Sequence, residues 1–349
     1  MAVPTGRQRR MVQHSSARKI RHGSRRFVRS EVAGDSCDKF PRVAVSASHA
    51  FCLGKTTMFR IILHITVAAA GLSVLLAMEP TNAQEAGHRA RTTTESSERF
   101  HQRATAKTGL LIPLYVYPEN IHVNHDFNRV IKLKRMYREV PFWVIVNPAS
   151  GPGEAVDANY TKAIDRLIGA GCVVLGYVPT DYGRAPFEQV ETNLQAWRRM
   201  YPRTHGVFFD EMIYEANDRA VAHQVRLNKA AHDMGYWPTV GNPGTDTPGI
   251  YFAADAADVI VIHEAREWPT EEKLHGNYFG GYSDFAPHTR ATLMYGQKEC
   301  DSEKVRMVSQ YTRWIYVTQD TYQPDNPDHP NPWDQLSIHL ESLCEVLND

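Results

Sequence analysis

The sequence predicts a (β/α)8 barrel. Between Leu110 and the last residue, eight short apolar runs alternate with segments of helical period. The stretch is about 240 residues long, close to the ~250 usual for eight βα units. Two of the runs end abruptly in acids: the 206–211 segment in Asp210 and Glu211, and the 258–264 segment in Glu264. Strands that deliver polar groups at their C-terminal tips are what such a barrel uses to build a site. A doubly wound open sheet is the runner-up, but its Gly-rich phosphate turn is missing.

Strands are expected at Leu110–Tyr117, Phe142–Asn147, Val173–Val178 and Val207–Asp210. Four more follow at Pro238–Gly241, Val259–His263, Ala291–Tyr295 and Trp314–Thr318. The clearest helix is Pro186–Met200. There Phe187, Val190, Leu194 and Trp197 recur at three and four residues, and Pro186 suits the first turn. A second helix, Ala216–Met234, stops at Gly235. The last helix is expected to line up Leu336, Leu340, Leu343 and Leu347 on one face, against the sheet.

The zero net charge is an average over unlike parts. Residues 1–57 hold 12 Lys+Arg and 3 Asp+Glu; the other 292 residues hold 27 and 36, a net of −9. An acidic main body argues against nucleic acid as partner and suits a neutral or cationic substrate. Residues 58–83 have the layout of a secretory signal: Arg60, the apolar run 61–78, then small residues around Ala83. The run is long for a signal and short for a membrane span, so a cleaved signal and a retained anchor are both open. A membrane is a partner only if 61–78 is retained. A signal normally starts a chain, so Met58 is expected to be the true initiator and 1–57 upstream sequence, basic, Ser-rich and disordered. Residues 84–107 read as a polar linker, leaving 108–349 as the barrel. The expected location is outside the cell or in its envelope or periplasm, with the barrel a monomer.

No zinc spacing joins the five Cys, and the sixteen His form no HExxH pattern. Neither a metal nor a cofactor is expected. Three thiols remain in the mature body, Cys172, Cys300 and Cys344, and they cannot all pair with each other.

The expected mouth of the barrel collects Tyr115, Tyr117, Asn147, Tyr177, Thr180, Asp181, Tyr182, Asp210 and Glu211. Asn242, Glu264, Tyr295, Gln319 and Asp320 complete it. Aromatic faces suit the C–H surfaces of sugar rings, and amides and acids suit their hydroxyls. A glycosidase also needs one protonated and one ionised carboxyl group beside the scissile bond. An isolated acid after a strand is more often a helix cap or a solvated loop residue; two such strand ends in one barrel favour chemistry. Side chains alternate along a strand, so Asp210 and Glu211 cannot both face the cleft in the same way. The segment Asn147–Gly153 lacks the Lys-Ser/Thr of a phosphate loop and reads as turns set by Gly and Pro, like the stretch from Asn242 to Thr245. Tyr278, Phe279 and Tyr282 could form a lid or a packed loop.

Five segments stand in the order seen in spherulin-4-like proteins: 141–153, 176–183, 206–211, 242–245 and 261–264. Over 108–345 the chain resembles that family; Pro179 departs from its pattern. The resemblance implies a glycoside hydrolase of (β/α)8 fold, endo-acting on α-1,4-linked N-acetylgalactosamine in exopolysaccharide; the signal-like 58–83 segment adds the expectation that it is secreted. The resemblance places the family's acids on Asp210 as nucleophile, Glu264 as general acid/base and Glu211 as a third acid. It also implies sugar subsites at Asn147, Tyr177, Tyr182 and Asn242, to which the mouth residues Tyr115 and Tyr295 are added. The competing readings are a barrel that binds carbohydrate or builds an envelope without turnover, and a hydrolase or lyase for another glycan.

Overall fold

Eight parallel strands close on one another in chain order, β1 through β8, and β8 returns to β1 through the pairs Gly109–Trp314 and Leu110–Ile315. The computed structural model describes residues 107–119, 125–276, 284–326 and 330–349. The expectations for the upstream extension, the signal or anchor, the linker up to residue 106 and the cluster Tyr278, Phe279 and Tyr282 lie outside these residues.

The strands are β1 Gly109–Leu114, β2 Phe142–Val146, β3 Val173–Pro179, β4 Gly206–Asp210, β5 Thr239–Asn242, β6 Val259–Ala265, β7 Arg290–Met294 and β8 Trp314–Val317. β1, β2, β5, β7 and β8 are buried at every position. Helices cover one face of the sheet and facing strands fill the other, so these runs read as continuous rather than alternating hydrophobicity. Trp143 stacks on Trp314 with ring centroids 3.4 Å apart.

A helix follows each strand among the described residues: α1 Asp126–Met136, α2 Ala158–Ala170, α3 Phe187–Met200, α4 Asp218–Asp233, α5 Ile250–Ala253, α6 Glu271–Leu274, α7 Ser302–Ser309 and α8 Leu340–Asn348. Local chemistry sets their ends. The Asp157 carboxylate accepts from the N–H groups of Asn159 and Tyr160 to start α2. Left-handed Gly171 ends it, with its N–H on Ile168 and that of Cys172 on Leu167. The α3 helix packs close to β3 because Gly176 has no Cβ; one built there would lie 2.6 Å from the Trp197 indole.

Several boundaries differ from the expected ones. Pro186 caps α3 from outside rather than opening its first turn. β1 stops at Leu114, leaving Tyr115 and Tyr117 beyond the ladder. β5 and β6 each run further than predicted, so Asn242 and Glu264 lie on strands instead of in loops. Leu336 is buried but precedes α8. Side-chain bonds compete with helix formation there: Ser337 N–H donates to Tyr316 Oη at 2.9 Å, and His339 N–H to Ser337 Oγ at 2.9 Å. The three described cysteines are free, and Cys172 and Cys344 are buried thiols pushed up to about 12 by burial. No group of metal-binding side chains and no helix long and apolar enough to cross a membrane occurs among the described residues.

Candidate active site

Asp210 and Asn242 end adjacent strands on the same rung, and Pro179 precedes them on β3. The Asn242 amide joins the two acids. Its Nδ2 donates to Asp210 Oδ1 at 2.8 Å and to Glu264 Oε2 at 2.8 Å. Two such contacts to one atom hold the two oxygens at most about 5.6 Å apart, within the hydrogen-bonding limits of one amide. The Asn242 Oδ1 accepts from Gly244 N–H at 3.1 Å, so the whole side chain is committed.

Asp210 has further donors. Tyr177 Oη gives it a 2.6 Å bond at Oδ2, and the Glu211 backbone N–H also favours its ionised form. Burial nevertheless raises its pKa above the ordinary carboxylate value, against these three donors. Glu264 receives Asn242 on one oxygen and Trp333 Nε1 on the other, at 3.1 Å. Burial, and then the negative charge of Asp210, push Glu264 up to about 7, while its two donors pull the other way. The preceding His263 faces the packed interior. Its ring donates to Glu267 O at 2.7 Å, and burial depresses it to about 4, so it is neutral at physiological pH.

Glu211 leaves the strand in a left-handed conformation, φ 55°. That turn answers the alternation problem: the chain twists where two adjacent acids would otherwise face opposite ways. The β3–α3 loop clamps the twist. Thr180 Oγ1 donates to Asp210 O at 2.9 Å and Glu211 O at 2.8 Å, and Tyr182 N–H donates to Glu211 O at 2.6 Å. Asp181 and Tyr182 are left-handed as well, at φ 49° and 52°. Strain of this kind costs roughly 1–3 kcal/mol per residue and gathers at functional sites. Burial and the nearby charges of Asp210 and Asp181 raise Glu211, and Arg184 opposes them.

The other predicted residues divide into two groups. Tyr115 and Tyr177 pack edge to face with centroids 5.8 Å apart, and burial plus the charges of Asp210 and Glu264 raise both phenols. Tyr182 is exposed beside Tyr214, 6.5 Å between rings, and its phenol is raised by burial and then by Glu211, Asp210 and Glu264. Tyr295 lies edge-on to Trp333 at 6.1 Å. These stand around the acids. Three others serve loops: Asn147 Oδ1 accepts from Gly151 N–H at 2.9 Å, Tyr117 donates to Asp157 at 2.9 Å, and Gln319 Oε1 accepts from Ile338 N–H at 2.8 Å. Asp320 is buried, with its carboxylate on Thr321 N–H. Trp333 and Tyr214 were not among the predicted residues. The signal for Trp333 was an aromatic framed by Asn331, Pro332 and Asp334, well beyond the end of the eighth strand.

The fold and this cluster define a (β/α)8 barrel whose mouth centres on two carboxylates bridged by one amide. The chain belongs to the Spherulin4 family, the spherulation-specific family 4, whose sequence pattern matches residues 109–347. It is similar to spherulin-4 of Physarum polycephalum, 30% identical over 157 residues, a match that spans 45% of each chain. Among solved structures it is similar to Aspergillus clavatus Sph3, determined in complex with GalNAc, at 21% identity and a TM-score of 0.55. That match covers 70% of this chain and 99% of Sph3.

Proposed function

We propose that the protein is an exported, retaining endo-glycosidase of polysaccharide containing α-1,4-linked N-acetylgalactosamine. The observation that carries this reading is the shared amide: Asp210 Oδ1 and Glu264 Oε2 both lie 2.8 Å from Asn242 Nδ2. Retaining glycosidases hold their carboxyl groups about 5–5.5 Å apart, whereas inverting ones need about 6.5–9.5 Å to admit a water. The shared amide brings one oxygen of each carboxyl group within about 5.6 Å of the other, which supports the closer, retaining arrangement.

The roles follow from the surroundings. Asp210, with three donors, is the nucleophile and stays the better anion. Glu264, pushed up to about 7, keeps a proton for the leaving oxygen. In the first step Asp210 forms a bond to the anomeric carbon as the glycosidic C–O bond breaks, and Glu264 protonates the departing oxygen. In the second, Glu264 takes a proton from water, whose oxygen displaces Asp210. Glu211 is a third acid at the rim, and Tyr115, Tyr182 and Tyr295 offer ring faces to the sugar. Asn147, Tyr177 and Asn242 contribute by shaping the cleft and its charges. The GalNAc bound to Sph3 supports the choice of sugar. The acidic body suits a neutral or partly cationic polymer, and the signal-like 58–83 segment supports export.

The test is release of reducing ends from N-acetylgalactosamine-rich exopolysaccharide by purified residues 84–349, beside Glu264→Gln. Oligosaccharides from the parent and none from the variant support the reading. Retention of the polymer without cleavage by either would replace it with a carbohydrate-binding barrel.

A further inference from the structure

Glu264 has one partner that does not come from a neighbouring strand. Its Oε1 accepts from the Trp333 indole, which arrives from the segment between β8 and α8. A local turn places that indole. Trp333 N–H donates to Asn331 Oδ1 at 2.9 Å, while Asn331 donates from its backbone and side chain to the Asp334 carboxylate at 3.0 and 2.8 Å. The ring is 9% exposed and packs against Tyr295 and Tyr316, each at 6.1 Å. Its N–H therefore points at Glu264 from a fixed mount.

We propose that Trp333 is a positioning residue that holds Glu264 ionised for the second half of the reaction. The inference rests on the retaining reading above. An indole has a donor and no acceptor, so it favours the carboxylate over the carboxylic acid. Other groups face Glu264 as well: Asp210 from β4, Tyr177 from β3, Tyr115 beyond β1 and Tyr182 from the β3–α3 loop. Of these, Asp210 opposes ionisation of Glu264 through its charge. Once Asp210 is esterified to the sugar, that charge is gone. Asn242 and Trp333 then face a Glu264 that has given up its proton and must take one from water. The first half, which needs Glu264 protonated, gains nothing from the indole.

The experiment compares the parent with Trp333→Phe and with β-(3-benzothienyl)alanine at position 333, which keeps the bicyclic shape without the N–H. Carboxyl 13C NMR follows Glu264, assigned by its loss in Glu264→Gln. Its midpoint should rise in both variants by roughly half to one pH unit, the worth of one hydrogen bond. With a nitrophenyl glycoside of an N-acetylgalactosamine oligosaccharide, at a pH below the Glu264 midpoint of the glycosyl-enzyme, first nitrophenol release should be nearly unchanged and later turnover about 3- to 10-fold slower, giving a burst. An unmoved midpoint in the benzothienyl protein, or equal slowing of both phases, overturns the proposal. A shifted midpoint in protein that never releases nitrophenol keeps the indole's hold on Glu264 and removes the glycosidase reading instead.

Discussion

Asp210 and Asn242 pair in register at the ends of β4 and β5, and the amide of the second reaches both the first and Glu264 on β6. Three consecutive strands thus contribute to one hydrogen-bonded unit. Removing its middle member separates the acids without touching either one. Asn242→Ala should lower kcat by about 100-fold or more, the scale seen when one preorganised donor is lost. KM should change little. Steady-state kinetics on the polymer and its oligosaccharides check this, and a variant that matches the parent would show the bridge to be incidental.

The pH profile should have its basic limb near 7. Glu264 must carry a proton for the first step, and it loses that proton as the pH rises through about 7. The dependence of kcat/KM on pH reports the group in the free enzyme. The same shift has a consequence for stability. A carboxyl raised from its unfolded value stabilises the fold most below about pH 4.5 and loses that contribution as the pH climbs through about 7. Melting curves of Glu264→Gln should therefore fall less between pH 5 and pH 8 than those of the parent.

Tyr177→Phe removes the 2.6 Å donor from Asp210 while keeping the ring. Asp210 should then protonate more readily, moving the acidic limb of the profile upward, with a loss of about 10-fold or more in kcat/KM. An acidic limb that stays in place would assign it to another group.

Glu211→Gly should do opposite things to stability and activity. Glycine tolerates φ 55° without a Cβ penalty, so the melting temperature should rise, by an amount worth about 1 kcal/mol or more. Activity should fall, because the third acid is gone. A variant that is both less stable and fully active would contradict both arguments.

The first sugar released should keep its anomeric configuration. Proton NMR of the earliest product, before mutarotation, distinguishes this directly. An inverted product would mean that the two carboxyl groups move apart when substrate enters, and the amide bridge would then belong to the free enzyme alone.

Much of this barrel was legible in the chain because its strands are buried on both faces. Runs such as 142–146 and 259–263 then announce themselves without any alternation. Asp210 and Glu264 were legible for the same reason, as acids that interrupt such runs. Partnership was harder to see. Tyr177, Asn147 and Asn242 were expected to meet sugar; their bonds within the protein go to Asp210, to Gly151, and to the acids with Gly244. Periodicity says which side chains reach the mouth; barrel closure decides which of them meet. Trp333 shows the same limit over a longer span, since it contacts a residue 69 positions earlier. Leu336 kept the helical spacing of Leu340 and Leu343, but the backbone N–H groups of Ser337 and His339 bond to the side chains of Tyr316 and Ser337 instead of entering a helix.

The Gly244 N–H on Asn242 Oδ1 acts as a polarity key. An amide turned end for end has nearly the same shape, but it would present its oxygen to two carboxylates and its hydrogens to an N–H. The contacts to the Asp210 anion and to the Gly244 N–H would then turn from attraction to repulsion. One backbone hydrogen, supplied by a left-handed glycine at φ 67°, thus selects the orientation on which the whole carboxylate pair depends. Any change in the β5–α5 turn that rotates this hydrogen away would alter the chemistry of two acids it never touches.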